Sequence, residues 1–188
     1  GSGIIKIENP SNINDGEYML MAHNGDSIVQ WDTTNVPNND PYIRRVKREW
    51  RVDQHGGDPG TIDILLDSAA LSTLPSGFSD YVLMVDNDGD FTSGSEVYLM
   101  DESSFQDNVG YHYLKVSGID FDAGDYYTIG CIRPVVEFSQ SSYEGVENNV
   151  DQTVDIELNF TAHSDITVDY FTSEVSATSN SDYQALNN

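Results

Sequence analysis

The sequence predicts an all-β fold made of two β-sandwich units in tandem, the second of them incomplete. Three observations carry that expectation. The apolar residues recur with a period of two, clusters of Gly, Asn, Asp and Pro punctuate them, and the charge balance breaks near Arg133-Pro134. A period of two is the signature of strands with one buried face, and many short strands between turn signals point to a sandwich. The clearest case is 152–160, where Val154, Ile156, Leu158 and Phe160 alternate with Thr153, Asp155, Glu157 and Asn159. Residues 61–67 repeat the pattern, with Ile62, Ile64 and Leu66 set against Asp63 and Asp67.

In chain order, Gly1-Ser2-Gly3 reads as a cloning scar. Strands are expected at 4–8, 17–22, 27–31, 43–53, 61–67, 81–85, 96–100, 111–117, 126–132, 135–139, 152–160 and 166–172. Ile43 to Val52 fits either a helical face (Ile43, Val46, Trp50) or a strand face (Val46, Arg48, Trp50, Val52). The strand is preferred because Pro41 and Gly56-Gly57 bracket the segment and Val and Trp favour sheets. On that face Arg48 would be buried and need a carboxylate partner. No Lys or Arg follows Arg133, while Asp and Glu continue, so 134–188 carries −10. The expected units are therefore 4–133 and 134–188. The second holds three or four strands where such a sandwich needs about seven, so its remaining strands must come from outside it or from another chain.

Composition restricts function. The chain carries 32 Asp plus Glu against 8 Lys plus Arg, a net charge of −24. Nucleic acid and anionic membrane both require a basic face, and no apolar run reaches the ~18 residues of a membrane span. Neither nucleic-acid binding nor membrane insertion is expected. With 38% hydrophobic and 11% aromatic residues, the chain has the material for a folded core rather than a disordered acidic coil. Divalent-cation binding, a saline habitat or solubility alone would each account for the charge. Cys131 is the only cysteine. It lies in the apolar run Tyr126 to Ile132, which makes it a buried structural thiol rather than a nucleophile.

The sharpest local signal is Asp86-Asn87-Asp88-Gly89-Asp90-Phe91. Three carboxylates at alternate positions let one turning loop aim several oxygens at one point, and calcium takes about six to eight of them. The flanks, Tyr81–Val85 and Glu96–Met100, read as strands, so this is a strand–loop–strand. It is not an EF-hand, since Phe91 and Val97 stand where that pattern needs Gly and Glu. Asp86, Asp88 and Asp90 are the expected ligands, with Glu96 or Asp101 to close the shell. The competing reading is a hairpin rich in Asp for turn reasons alone.

Five of the eight basic residues fall in 44–51 (Arg44, Arg45, Lys47, Arg48 and Arg51). They form either an anion patch or, as favoured here, charge pairing with the acidic remainder. Trp31, Trp50 and the tyrosines suit a sugar platform but are more commonly core. His23, His55, His112 and His163 are scattered, and no catalytic or phosphate-binding motif occurs. No enzymatic activity is expected.

Two stretches resemble known families. Val135-Val136-Glu137-Phe138, Tyr143-Glu144-Gly145, Val154 to Phe160, Ile166 to Tyr170, Ala177-Thr178 and Ser181-Asp182-Tyr183 together resemble the N-terminal half of a Calx-beta domain. The resemblance implies an immunoglobulin-like second unit, a place in tandem arrays of large bacterial adhesins, and Glu144 and Asp182 as a second metal site. Asp15-Gly16-Glu17-Tyr18, Ala22-His23-Asn24-Gly25, Arg48 to Val52, Gly60 to Asp63 and Tyr81 to Phe91 are similar to a module of large surface-exposed and type IX-secreted bacterial proteins. These likenesses imply an extracellular or bacterial cell-surface location, Ca2+ as cofactor, and a structural or adhesive role toward a glycan or protein ligand. They also imply contact with neighbouring repeats or a second copy. The alternative function is a carbohydrate-binding accessory module of a secreted polysaccharide-degrading enzyme.

Overall fold

The computed structural model describes residues 5–106, 112–143 and 153–173. The chain is all-β and divides into two compact units, Gly1–Arg133 and Pro134–Asn188, each described by itself below.

Among the described residues the first unit holds eleven strands. They are β1 (Ile5–Glu8), β2 (Tyr18–His23), β3 (Trp31–Asp32), β4 (Ile43–Val46), β5 (Trp50–His55), β6 (Ile62–Asp67), β7 (Asp80–Asp86), β8 (Glu96–Leu99), β9 (Asp101–Gln106), β10 (His112–Ile119) and β11 (Tyr126–Ile132). One antiparallel sheet runs β1-β6-β10-β9. The other is built on β11, which pairs along its length with β7 and on its opposite side with β5 and β4 in succession. β8 pairs with β7, β2 with β5, and β3 with β4.

The core lies between the two sheets. Ile62, Ile64 and Leu66 of β6 and Leu114 and Val116 of β10 face Val46, Trp50, Val52, Leu83, Tyr127 and Ile129. The alternation in 61–67 thus does what a half-buried strand requires. β7 differs, being buried at almost every position, because its outer face is covered too. Gly130 of β11 allows that closure. A Cβ there would lie 2.2 Å from Met84 Cε and 2.8 Å from the Arg44 carbonyl oxygen.

The predicted strand at 43–53 forms, but in two pieces that both border β11. Between them residues 47–49 leave the ladder, and the Thr128 hydroxyl donates to the Arg48 carbonyl at 2.8 Å. This interruption swings Arg48 out of the face shared by Val46, Trp50 and Val52. The segment 27–31 yields only β3. β9 was not anticipated, because Asp101-Glu102-Ser103-Ser104 shows no apolar alternation.

The second unit contains β12 (Val136–Phe138) and β13 (Ile156–Leu158), paired antiparallel with Val136 opposite Leu158 and Phe138 opposite Ile156. The Tyr143 hydroxyl donates to the Asp155 carbonyl at 2.8 Å and so fastens the chain beside β13. The predicted strand at 166–172 is reduced to an isolated bridge at Phe171. The alternation at 152–160 does not bury a face here. Val154, Ile156 and Leu158 remain 47%, 46% and 39% exposed, and the two strands found among the described residues of this unit cannot cover their own apolar side. Val136, Ile156, Leu158, Ile166 and Val168 line an apolar hollow of about 530 Å3.

Candidate functional site

The Asp-rich loop leaves the end of β7 and is tied to the body of the first unit by its own aromatic residue. Phe91 is fully buried, outside the inter-sheet core. The Arg45 guanidinium sits over its ring at 5.6 Å. Arg45 is itself buried, donates to the Thr34 and Val46 carbonyls, and pairs with Glu49 at 2.9 Å. The segment 34–40 closes on the loop from the other side. Asn35 Nδ2 donates to the Gly89 carbonyl at 3.0 Å, and the Asn38 amide donates to the Thr92 carbonyl at 3.0 Å.

Within the loop the carboxylates organise the backbone. Asp86 is buried, and its Oδ1 accepts the amides of Asp88 at 2.9 Å and Gly89 at 2.8 Å. Asp88 Oδ1 accepts the Asp90 amide at 2.8 Å. Asp90 Oδ1 accepts the Thr92 hydroxyl and amide, which holds its carboxyl below the usual range. Gly89 has φ +86°, where a side chain would be strained, and a Cβ there would also press the Tyr126 ring at 3.4 Å. Each of these hydrogen bonds engages Oδ1. A carboxylate offers about four lone-pair sites, so the Oδ2 atoms keep accepting capacity.

Two observations bear on cation binding and pull in different directions. Among the described residues, no three carboxylate, imidazole or thiolate groups converge on one point. Yet among the described residues Asn35 Oδ1 is buried without a hydrogen-bond partner, while its Nδ2 is fixed on the loop at Gly89. A buried acceptor without a donor costs about 1–3 kcal/mol, and a cation or a water would relieve it. Asn35, with φ +52°, carries no periodicity or motif that would single it out from the sequence.

The other sequence-predicted ligands separate. Glu96 opens β8 opposite Val85, beside Asp86, where it accepts the Tyr98 hydroxyl and raises that phenol to about 12. Asp101 begins β9 in the other sheet, opposite Lys115. Asp125 lies nearer the loop. Burial first, then Asp122, Asp86 and Glu96, raise its carboxyl pKa, so negative charge is concentrated at this end of the sandwich. Glu144 and Asp182 lie outside the described residues.

Elsewhere the chemistry-bearing side chains are occupied structurally. Burial pushes the Cys131 thiol up to about 12. Trp50 is buried, and Trp31 donates its indole N–H to the Thr73 carbonyl at 3.0 Å. The basic segment 44–51 forms no single patch. Arg44 lies over Phe78, Arg45 over Phe91, Arg48 over Trp50 and Arg51 over Tyr126.

A family described as Domain of unknown function (DUF8202) matches residues 4–125, well over half of the chain. The chain belongs to this family. The DUF8202 match takes in β1 to β10, the Asp-rich loop and Asn35, and stops just before β11. No curated protein and no solved structure matches the chain. No helix of the described residues is long and apolar enough to cross a membrane.

Proposed function

We propose that this chain is a calcium-stabilised, non-catalytic structural or adhesive module of a large bacterial cell-surface or secreted protein. The observation that carries the calcium reading is the buried, partnerless Asn35 Oδ1, held against the Asp86–Asp90 loop by the bond from its own amide to Gly89. Asp86, Asp88 and Asp90 would supply carboxylate oxygens and Asn35 a neutral one, the hard donor set calcium prefers. The loop's anchorage through Phe91 supports a rigidifying role, since a cation bound there would stiffen a turn already fixed to both sheet and neighbouring loop. The non-catalytic reading is supported by the structural use of Cys131, Trp50 and the arginines. The partner is a neighbouring repeat or a second copy, which would cover the exposed apolar side of the second unit. The glycan reading draws less support, because the tryptophans serve the fold rather than an exposed platform.

Calcium that binds only the native state adds about 2.7 kcal/mol at a hundredfold excess over its dissociation constant. Thermal melting of the chain should move upward with calcium and return with chelator, and Asp88→Ala should lose most of that shift. A melting curve unchanged between saturating calcium and chelator refutes the proposal.

A further inference from the structure

The two sheets of the first unit end on one side at β1 and β2, which are edge strands. Between them opens a cleft of about 330 Å3, at the lower end of the sizes that hold small organic ligands. Ile5 and Ile7 form one wall, and Met21 and His23 the other, with Trp50 and Arg48 also lining it. The Trp50 ring is stacked on Tyr127 with centroids 5.3 Å apart and planes 7° from parallel. It is therefore a fixed part of the cleft lining, 7% exposed, rather than an open platform.

The polar groups of the cleft are donors. Arg48 is placed there by the interruption between β4 and β5. Its Nε donates to the Asp26 carbonyl at 2.7 Å, and its guanidinium lies 6.0 Å from the Trp50 ring. Among the described residues it makes no ion pair, although the chain has 32 acidic residues against 8 basic ones. The terminal nitrogens of the guanidinium thus keep the paired N–H geometry that fits a carboxylate. His23 adds a second donor. Its Nδ1 accepts the Gly25 amide at 3.0 Å, so the neutral ring carries its proton on Nε2.

We propose that this cleft binds a small organic carboxylate with an apolar, ring-bearing body. The carboxylate would pair with Arg48 and accept from His23, and the ring would lie between the Ile7 and Met21 walls. Charge complementarity decides the class. In a chain of net charge −24 an anion is favoured beside a cation that makes no ion pair, and Arg48 in this cleft is one among the described residues. The site is independent of the Asp-rich loop, so loss of calcium binding leaves it standing.

The test uses 4-phenylbutyrate and its uncharged amide, titrated into the full chain and followed by the Trp50 Nε1–H and Arg48 Nε–H resonances. The carboxylate should shift both resonances and bind at least about tenfold more tightly than the amide, the difference a charge-assisted hydrogen bond supplies. Arg48→Gln, which keeps a donor for the Asp26 carbonyl, should erase the preference. His23→Ala, at an exposed strand end, should weaken the carboxylate alone by a few-fold and serves if the Arg48 variant does not fold. Equal affinity for acid and amide, shifts confined to other resonances, no shift at all, or unaltered binding by both variants would each overturn the proposal. Displacement of the probe only by an extended peptide, and by no free carboxylate, would overturn it in favour of strand addition at the β1–β2 edge.

Discussion

Replacing Phe91 by alanine should unfold the first unit far more readily than a substitution in a loop ordinarily would. A turn residue chosen only for its backbone preference changes stability by about 0.5 kcal/mol or less. Phe91 is different because its side chain is fully buried. Truncating a buried Phe costs about 3–5 kcal/mol in transfer and cavity terms together. The ring also carries the Arg45 guanidinium at 5.6 Å, a contact worth about 0.5–2 kcal/mol. These contributions overlap, so the expected loss is about 4 kcal/mol, a large part of the ~5–15 kcal/mol that holds a domain together. Phe91→Leu keeps most of the burial but loses the ring face and should cost about 1–2 kcal/mol. Urea denaturation followed by tryptophan fluorescence would measure both, with the midpoint falling and the m value unchanged. A loss below about 1 kcal/mol for Phe91→Ala would mean that the loop is a detached hairpin tip. The argument that it is anchored for a rigidifying role would then fail.

Two further predictions concern the sheets. Burial alone would raise the Asp63 carboxyl, but hydrogen bonds from Lys115 and Asn9 outweigh it and hold it at about 2. Its contribution, on the order of 1 kcal/mol after solvent screening, is full above the unfolded value near ~3.9 and disappears as pH falls through about 2. The stability difference between wild type and Asp63→Asn should follow that window, and a difference constant from neutral pH to about 2 would refute it. The exposed apolar side of β12 and β13 should make the chain associate with rising concentration in sedimentation velocity, and Ile156→Glu should suppress this. A strict monomer at high concentration would count against a second copy as the covering partner.

The fold class was legible because period-two alternation is a direct consequence of a sheet with one wet face. It led to β1, β6, β7, β8 and β11 within a residue or two. It failed where burial does not follow that rule. β9 has polar residues through Ser104, and its place in the sheet comes from pairing with β10 rather than from its own pattern. Conversely, 166–172 alternates well yet has no partner strand among the described residues, and an unpaired strand does not persist. The alternation in 43–53 puts Arg48 on the buried face, where it would need a carboxylate, since nothing in that stretch marks the interruption at 47–49. The cause lies 80 residues away in Thr128. At the Asp-rich loop, the sequence exposed the carboxylates and the turn but not Asn35, whose role depends on a loop brought in from a distant part of the chain.

The arginines connect these points. A strongly acidic chain would be expected to pair each cation with a carboxylate, yet Arg44, Arg48 and Arg51 lie on the rings of Phe78, Trp50 and Tyr126. A guanidinium is weakly hydrated and planar, so an aromatic face accepts it at little desolvation cost, and abundant acid nearby balances the charge without a specific contact. What distinguishes the arginines is how their N–H groups are used. Arg44 donates to the carbonyls of Pro41 and Ile43, and Arg45 to those of Thr34 and Val46 as well as to Glu49. Arg48 uses its Nε on Asp26 and brings the rest of its guanidinium to the cleft beside Trp50. The same ring that shelters its charge thus holds the guanidinium at the lining of the cleft between the sheet edges, where its terminal nitrogens have no ion pair among the described residues.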